Sequence, residues 1–386
     1  MKLPSNISFG WKSLLIIVFL FTLLCWNLSL QDVEDEIRKS ERDAYFKKLL
    51  DLKEENQQEI LLDKTLLQNL TEQFVIGQNV LQPTKVTPYF FKMSNNIKIE
   101  KHTVTVATLI TVDRLPILLN SMKTFDGLYS ATLHILSDDN LTTNLITVKS
   151  FIKENFNVLK DRLDIHLIID EYPRQFNFFR NVARYFSRTD LILSLDVDFI
   201  INIDFSKNLQ DSPQVLEKLL VGSSVFILPA FEFKNGLNKP YTMFPKNKQE
   251  IKKHWINRDI IIFHGNLNKG HVSTKYRTWI KKTVPYKIQA RSYKYEPYAI
   301  FNKHTVPWCD ERFTGYGNNK AAWWYEIYLA GIDFYVLPFD FVFHQYHEYD
   351  NKVRYSERRK NTSKFKQFSK EICDKYKALF GSENDR

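Results

Sequence analysis

Between His102 and Ile200, four short apolar runs alternate with stretches of helical spacing, and this alternation narrows the fold more than any other feature. TVTVATLIT (103–111), ATLHILSD (131–138), LDIHLIID (163–170) and LILSLDVDFI (191–200) read as strands. Leu115 to Phe125, Phe151 to Leu159 and Gln175 to Phe186 carry helical apolar spacing between them. Short strands separated by helices predict an α/β fold, a mostly parallel open sheet with helices on both faces. Ligands of such sheets lie beyond the carboxyl ends of the strands. Neither G-x-G-x-x-G nor G-x-x-x-x-G-K-[ST] occurs, so the dinucleotide fingerprint and the P-loop are both missing, and no internal repeat is visible.

The N-terminal region fixes the compartment. Ser13 to Gln31 is a 19-residue run without charge. As a helix it would span ~28 Å, enough to cross a bilayer core. Lys2 and Lys12 precede it, and Asp32, Glu34, Asp35 and Glu36 follow. Positive-inside logic makes residues 1–12 a cytosolic tail and 13–31 a type II signal anchor. The alternative is a cleaved signal peptide, but the run is long for one and no A-x-A-like site follows. A span this short suits the early secretory membranes, and the expected location is the Golgi membrane with a lumenal catalytic domain. Residues 32–75, rich in Glu, Lys, Gln and Leu, read as a helical stem, either a spacer or a coiled-coil homodimer contact. Residues 76–102, with Pro83 and Pro88, read as a linker, and 103–386 as the catalytic domain.

The net charge of +10 over 386 residues is uneven. Residues 1–90 hold 10 Lys/Arg and 12 Asp/Glu, leaving 44 against 32 for residues 91–386. A lumenal position removes DNA and RNA from the partners that such basicity suggests, and leaves anionic donors and glycans. It also makes Asn69, Asn140 and Asn361 candidate glycosylation acceptors, and allows Cys309 and Cys373 to pair. Three cysteines exclude a disulfide scaffold.

Chemistry concentrates at Asp196-Val197-Asp198. On a strand both carboxylates point to one side and Val197 to the other. Adjacent carboxylates repel unless a cation joins them, and a hard divalent ion, Mn²⁺ or Mg²⁺, would do so and bridge a diphosphate. In the preceding helix, Arg180 and Arg184 lie one turn apart, either on a solvated face or as a cationic rim toward a nucleotide. A second block, residues 307–348, holds Asp310, Glu311, two loop glycines and then His344 and His347, which are available as a further metal ligand.

Together these residues resemble glycosyltransferase family 49, which includes a β-1,4-glucuronyltransferase of dystroglycan glycan synthesis and the C-terminal domain of LARGE-type enzymes. The similarity runs over roughly residues 103–350. It passes through TLITVDRLPILLNSMKTFDGLYSATLHILSDD (108–139), RNVAR (180–184), DVDF (196–199), GHVSTKY (270–276), YEPY (295–298), DERFTGYGNNK (310–320) and VLPFDFVFH (336–344). The resemblance implies a GT-A fold, a UDP-sugar donor, Mn²⁺ and inversion at the anomeric carbon. Asp196 and Asp198 then match the metal-binding D-x-D and His344 the third ligand. Arg180 and Asn181 would touch the nucleotide, with Arg184 on the same rim. Asp310 would be the general base, with Glu311 as the alternative. His271, Trp279, Glu296 and Tyr298 would contact the acceptor or the donor sugar.

The function implied is transfer of glucuronic acid from UDP-glucuronate to a glycan hydroxyl. Another UDP-sugar donor and a catalytically silent lumenal scaffold are the alternatives. This chain has a stem where LARGE-type enzymes carry a second transferase domain, and Trp308-Cys309 and Asn318-Asn319-Lys320 depart from the family pattern. A dehalogenase-like phosphatase also uses D-x-D, but on a first strand; here three strands precede it and Phe199-Ile200 follow.

Overall fold

In a computed structural model, which describes residues 85–201, 205–234, 239–264, 270–289, 291–347 and 351–380, the predicted alternation becomes a nine-stranded sheet. The first half supplies β1 (Lys85–Phe91), β2 (Val104–Ile110), α1 (Leu115–Thr124), β3 (Leu128–Leu136), α2 (Leu141–Glu154), α3 (Phe156–Leu159), β4 (Leu163–Asp170), α4 (Phe176–Tyr185) and β5 (Leu191–Ser194). Then follow β6 (Phe199–Ile200), α5 (Phe205–Gln210), α6 (Pro213–Val221), β7 (Ser224–Leu228), β8 (Ala230–Phe233), α7 (Lys248–Asn257), β9 (Ile260–Ile262), α8 (Tyr276–Lys281) and β10 (Tyr286–Lys287). The chain closes with β11 (Tyr298–Asn302), α9 (Asn319–Leu329), β12 (Asp333–Val336), β13 (Val342–His344) and the long α10 (Asn351–Phe380).

The main sheet has the order β1-β4-β3-β2-β5-β11-β7-β12-β10. Strands β4, β3, β2 and β5 are parallel, as expected. The second half is mixed: β11 runs antiparallel to both β5 and β7, and β10 antiparallel to β12. A second sheet, β6-β13-β8-β9, lies beyond the end of β5.

Strand alternation sorts the core onto two faces. On β4, Leu163, Ile165 and Leu167 join a cluster with Leu115, Leu118 and Met122 of α1 and Val148 of α2. Ile168, one position out of phase, instead meets Phe178, Phe179, Val182 and Phe186. Helix α4 is therefore pinned on the face opposite α1. Its backbone is also bolted down, because Ser130 Oγ donates to the Ala183 carbonyl (2.6 Å) and Thr132 Oγ1 to that of Phe179 (2.8 Å).

Several expected boundaries move. Residues 85–91 are not linker: β1 pairs antiparallel with β4, Lys85 opposite Ile169 and Phe91 opposite Ile165. The helix predicted over 151–159 divides at Asn155 between α3 and the end of α2, which starts at Leu141 in a Thr- and Asn-rich stretch of weak helix propensity that buries little beyond Val148. The strand predicted over 191–200 breaks at Ser194. The Phe199 amide turns back onto the Asp196 carbonyl (3.2 Å), and the chain passes from one sheet to the other. Asp196 and Asp198 thus sit in a turn at the strand's carboxyl end, not on a pleated strand.

No disulfide joins Cys309 and Cys373, the pair that a lumenal position would allow; Cys373 lies against the Tyr325 hydroxyl. Asn361 is fully buried, donating Nδ2 to the carbonyls of Thr314 and Tyr316 (2.9 Å each), which removes it as a glycosylation acceptor. Asn140, at the start of α2, is exposed. No helix among the described residues is long and apolar enough to cross a membrane. The expected anchor (13–31), the expected stem and Asn69 lie outside the described residues.

Candidate active site

The turn after β5 opens into a cavity of about 580 Å³, as expected for the carboxyl end of an α/β sheet. Its floor is Asp196-Val197-Asp198, and its walls come from the loop after β2, the segment around His271, the residues before β11, the loop into α9 and the first turns of α10. The two aspartates have different neighbours. Lys320 Nζ (2.6 Å) and the Tyr298 hydroxyl (2.8 Å) both bond Asp196 Oδ2, and an Arg180 nitrogen lies 3.3 Å from Oδ1. Burial works against the Asp196 charge, yet Lys320 and Arg180 outweigh it and hold the carboxyl below its ordinary range.

Asp198 belongs to a different cluster. Its Oδ2 lies 2.9 Å from His347 Nε2 and 3.5 Å from His344 Nε2. One ligand atom from each of the three residues falls within 4.8 Å of the others. Strand β13 carries His344 to this point, pairing with β6 on one side and β8 on the other. On β8, Glu232 holds His344 Nδ1 at 3.1 Å, which leaves Nε2 turned toward Asp198. Burial opposes a charged ring at His344, but the hydrogen bonds to Asp198 and Glu232 prevail and raise it to about 9. The same two imidazoles hold Asp198 well below the usual carboxylate range against its own desolvation.

The fit of this cluster to a cation rests on one further atom. Asp198 Oδ1 is buried without a hydrogen-bond partner, a costly arrangement that a cation would relieve. Asp198, His344 and His347 are therefore the residues that could hold a metal. Of the expected ligands, Asp198 and His344 are present. His347, noted in the sequence but not assigned, joins them in the cluster, while Asp196 lies outside it.

Other expected site residues are brought together unevenly. Arg180, His271, Glu296 and Asp196 line the cavity, and Tyr298 lies beneath it, buried and gripping Asp196. Burial pushes His271 down to about 3, so its ring is neutral. Arg184 is not among the residues lining the cavity. It is buried, with its guanidinium bonded to the carbonyls of Lys303, Val306 and Pro307 and stacked on Trp308 (4.0 Å). Asn181 is spent in the same way, clasping both the amide and the carbonyl of Cys309. Trp279 is a core residue, fully buried, with Nε1 donating to the Leu337 carbonyl (2.8 Å).

Asp310 and Glu311 also stand outside the cavity lining. The Asp310 carboxylate takes both the amide and Nε of Arg312, and Glu311 Oε1 receives Asn181 Nδ2 (2.7 Å). Burial pushes Glu311 up to about 8. A protonated carboxyl facing a packing amide is poorly placed to take a proton from an acceptor.

Nothing in the sequence marks what α10 contributes to the site. Glu357 bonds Arg174 (2.7 Å) and the Tyr316 amide (2.9 Å), drawing the loop before α9 against the helix. Gly315 and Gly317 are required there. Both have positive φ (77° and 90°), and a Cβ would meet Glu357 at 2.6 Å or Arg358 at 2.7 Å. With the loop drawn in, Arg354, Arg358 and Thr362 become part of the cavity wall.

A family model described as "Glycosyl-transferase for dystroglycan" matches residues 170–377, more than half of the chain and all of this site except the wall from the end of β2 and the loop after it. The chain belongs to this family. Its relatives include xylosyl- and glucuronyltransferase LARGE2s of Gallus gallus, 30% identical over 252 residues, covering 63% of this chain and 32% of that protein. Xylosyl- and glucuronyltransferase LARGE1 of Homo sapiens is 28% identical over 268 residues, covering 67% of this chain and 33% of the relative. The chain thus matches about a third of the length of these curated relatives. Among solved structures, GalNAc-T7 with UDP, GalNAc and Mn²⁺ aligns at a TM-score of 0.42 and 13% identity, over 66% of this chain and 45% of that one.

Proposed function

We propose that the chain is an inverting, divalent-metal-dependent glycosyltransferase of the GT-A type that transfers a sugar from a UDP donor to a glycan hydroxyl. The observation that carries this reading is the Asp198–His344–His347 cluster opening into a cavity rich in cations. When bound, a divalent ion there would offset the negative charge gathering on a diphosphate leaving group. Two imidazoles beside one carboxylate favour a transition metal such as Mn²⁺ over Mg²⁺.

Glucuronic acid from UDP-glucuronate is the donor that best suits the walls. Seven Lys and Arg residues face four Asp and Glu residues among those lining the cavity. Lys294 and Arg358 are exposed there without an ion pair among the described residues, so an acidic sugar would find positive charge beyond what the diphosphate takes up. The relatives' names couple xylosyl with glucuronyl transfer, which makes UDP-xylose the second donor to test. The charge pattern of residues 1–36 supports a type II protein of the Golgi membrane, anchored by residues 13–31, with the stem as a spacer or dimer contact.

The test is a panel of UDP-sugars with the full chain and Mn²⁺, scored by UDP release. UDP-glucuronate is expected to lead, and Asp198→Ala to remove the metal-dependent turnover while the protein remains folded. Full activity in that variant refutes the metal assignment. Preference for another sugar overturns the donor alone.

A further inference from the structure

The proposed transfer needs a group to accept the acceptor's proton, and neither carboxylate singled out in the DERF segment reaches the cavity. Four carboxylates do: Asp113, Asp196, Asp198 and Glu296. Asp113 lies at the rim, its side chain 70% exposed and paired with Arg114 (3.2 Å). Asp196 is paired with Lys320 and Arg180 and takes a hydrogen bond from Tyr298, and Asp198 is held by the two histidines. Glu296 remains, and no side chain among the described residues hydrogen-bonds its carboxylate.

The backbone fixes where Glu296 sits. Its amide donates to the Gly270 carbonyl (2.8 Å), and two residues later Tyr298 opens β11 and grips Asp196. Next to it in sequence, Tyr295 is fully buried and bonds the Thr274 hydroxyl (2.7 Å). Glu296 is thus carried on a short, pinned segment at the edge of the metal-binding floor. Burial raises its affinity for a proton and Asp196 adds to this, while Lys320, Arg180 and Arg358 oppose it. A general base needs such a setting: accessible to substrate, not locked in an ion pair, and more basic than a solvated carboxylate.

We infer that Glu296 is the general base of the transfer. In the step, the acceptor oxygen forms its bond to the anomeric carbon as its proton passes to the Glu296 carboxylate. The bond from that carbon to the UDP oxygen breaks, and its electron pair leaves on the diphosphate. Glu296 then returns the proton to water. The assignment rests on the transferase reading and adds the acid–base residue to it.

The test uses the full chain with Mn²⁺, UDP-glucuronate or UDP-xylose, and a panel of p-nitrophenyl monosaccharides as acceptors. Glu296→Gln is expected to lower kcat by ~10²–10⁴-fold. The Kd for UDP with Mn²⁺ should stay within about twofold, and the acidic limb of the kcat/KM profile should disappear. Glu296→Asp, which keeps a shorter carboxylate, should recover part of the rate and the limb, and it guards against a folding defect in the Gln variant. Asp310→Asn and Glu311→Gln should turn over at close to the wild-type rate. Undiminished kcat in Glu296→Gln overturns the assignment, as does a loss of UDP affinity that accounts for the whole loss of rate. A wild-type chain that neither binds nor releases UDP overturns the transferase reading together with it.

Discussion

Glu311→Gln separates packing from chemistry in the DERF segment. The wild-type carboxyl is pushed up from 4.5 to about 8, chiefly by burial, with Asp310 adding to the rise and the Asn181 hydrogen bond opposing it. Between those pH values the folded chain holds a proton that the unfolded chain has released, so stability falls as pH rises. The part of the stability linked to this proton is fully present below about 4.5 and lost by about 8. At ~1.36 kcal/mol for each pH unit, the ceiling on this loss is about 5 kcal/mol. Water reaches part of the side chain, and about 2 kcal/mol is the expected size. Glutamine keeps the oxygen that Asn181 bonds and carries no charge at any pH. Urea unfolding of both proteins from pH 5 to pH 9 should therefore show the variant pulling ahead as pH rises, with the gap levelling near pH 8 to 9. Parallel stability curves, or a wild type that gains on the variant, would refute a neutral Glu311 and restore it as a candidate base.

Three further outcomes follow from the geometry. Lys248→Met removes an ammonium that bonds the carbonyls of Trp279, Lys282 and Pro338 at 2.6 Å each, and urea melts should show a loss of about 3 kcal/mol or more. Gly317→Ala forces a side chain onto a φ of 90° against Arg358. It should cost more than ~1 kcal/mol in stability and raise the donor KM, measured by UDP release. In material from a secretory host, peptide mass spectrometry should find Asn361 unmodified. Asn361→Ala should weaken the 314–316 turn and lower the Tm, because two backbone carbonyls lose their donor.

The parallel half of the sheet was legible because strands buried on both faces read as continuous apolar runs, LDIHLIID above all. The break at Ser194 was not. Val197, Phe199 and Ile200 are good strand residues, and nothing in their order shows that the chain changes sheets between them. The same limit explains the site. D-x-D and His344 could be placed from their position after apolar strands, whereas the second histidine depends on how the chain turns after β13. Arg184, Asn181 and Trp279 looked functional because polar and aromatic residues stand out in a motif. Their hydrogen-bond partners are chiefly backbone groups, which leave no mark on a sequence. Lys320 was visible only as a departure from the family pattern, and it is the residue that neutralises Asp196.

Strand β1 decides where this protein can be cut. It covers the outer backbone of β4, whose residues from Leu163 to Asp170 are nearly all buried. A soluble fragment begun after Phe91 would bare that row of amides and carbonyls beside an apolar strand, an edge that recruits strands from other molecules. Such a fragment would be lost to aggregation before its chemistry could be measured. One that begins ahead of Lys85 keeps the edge closed.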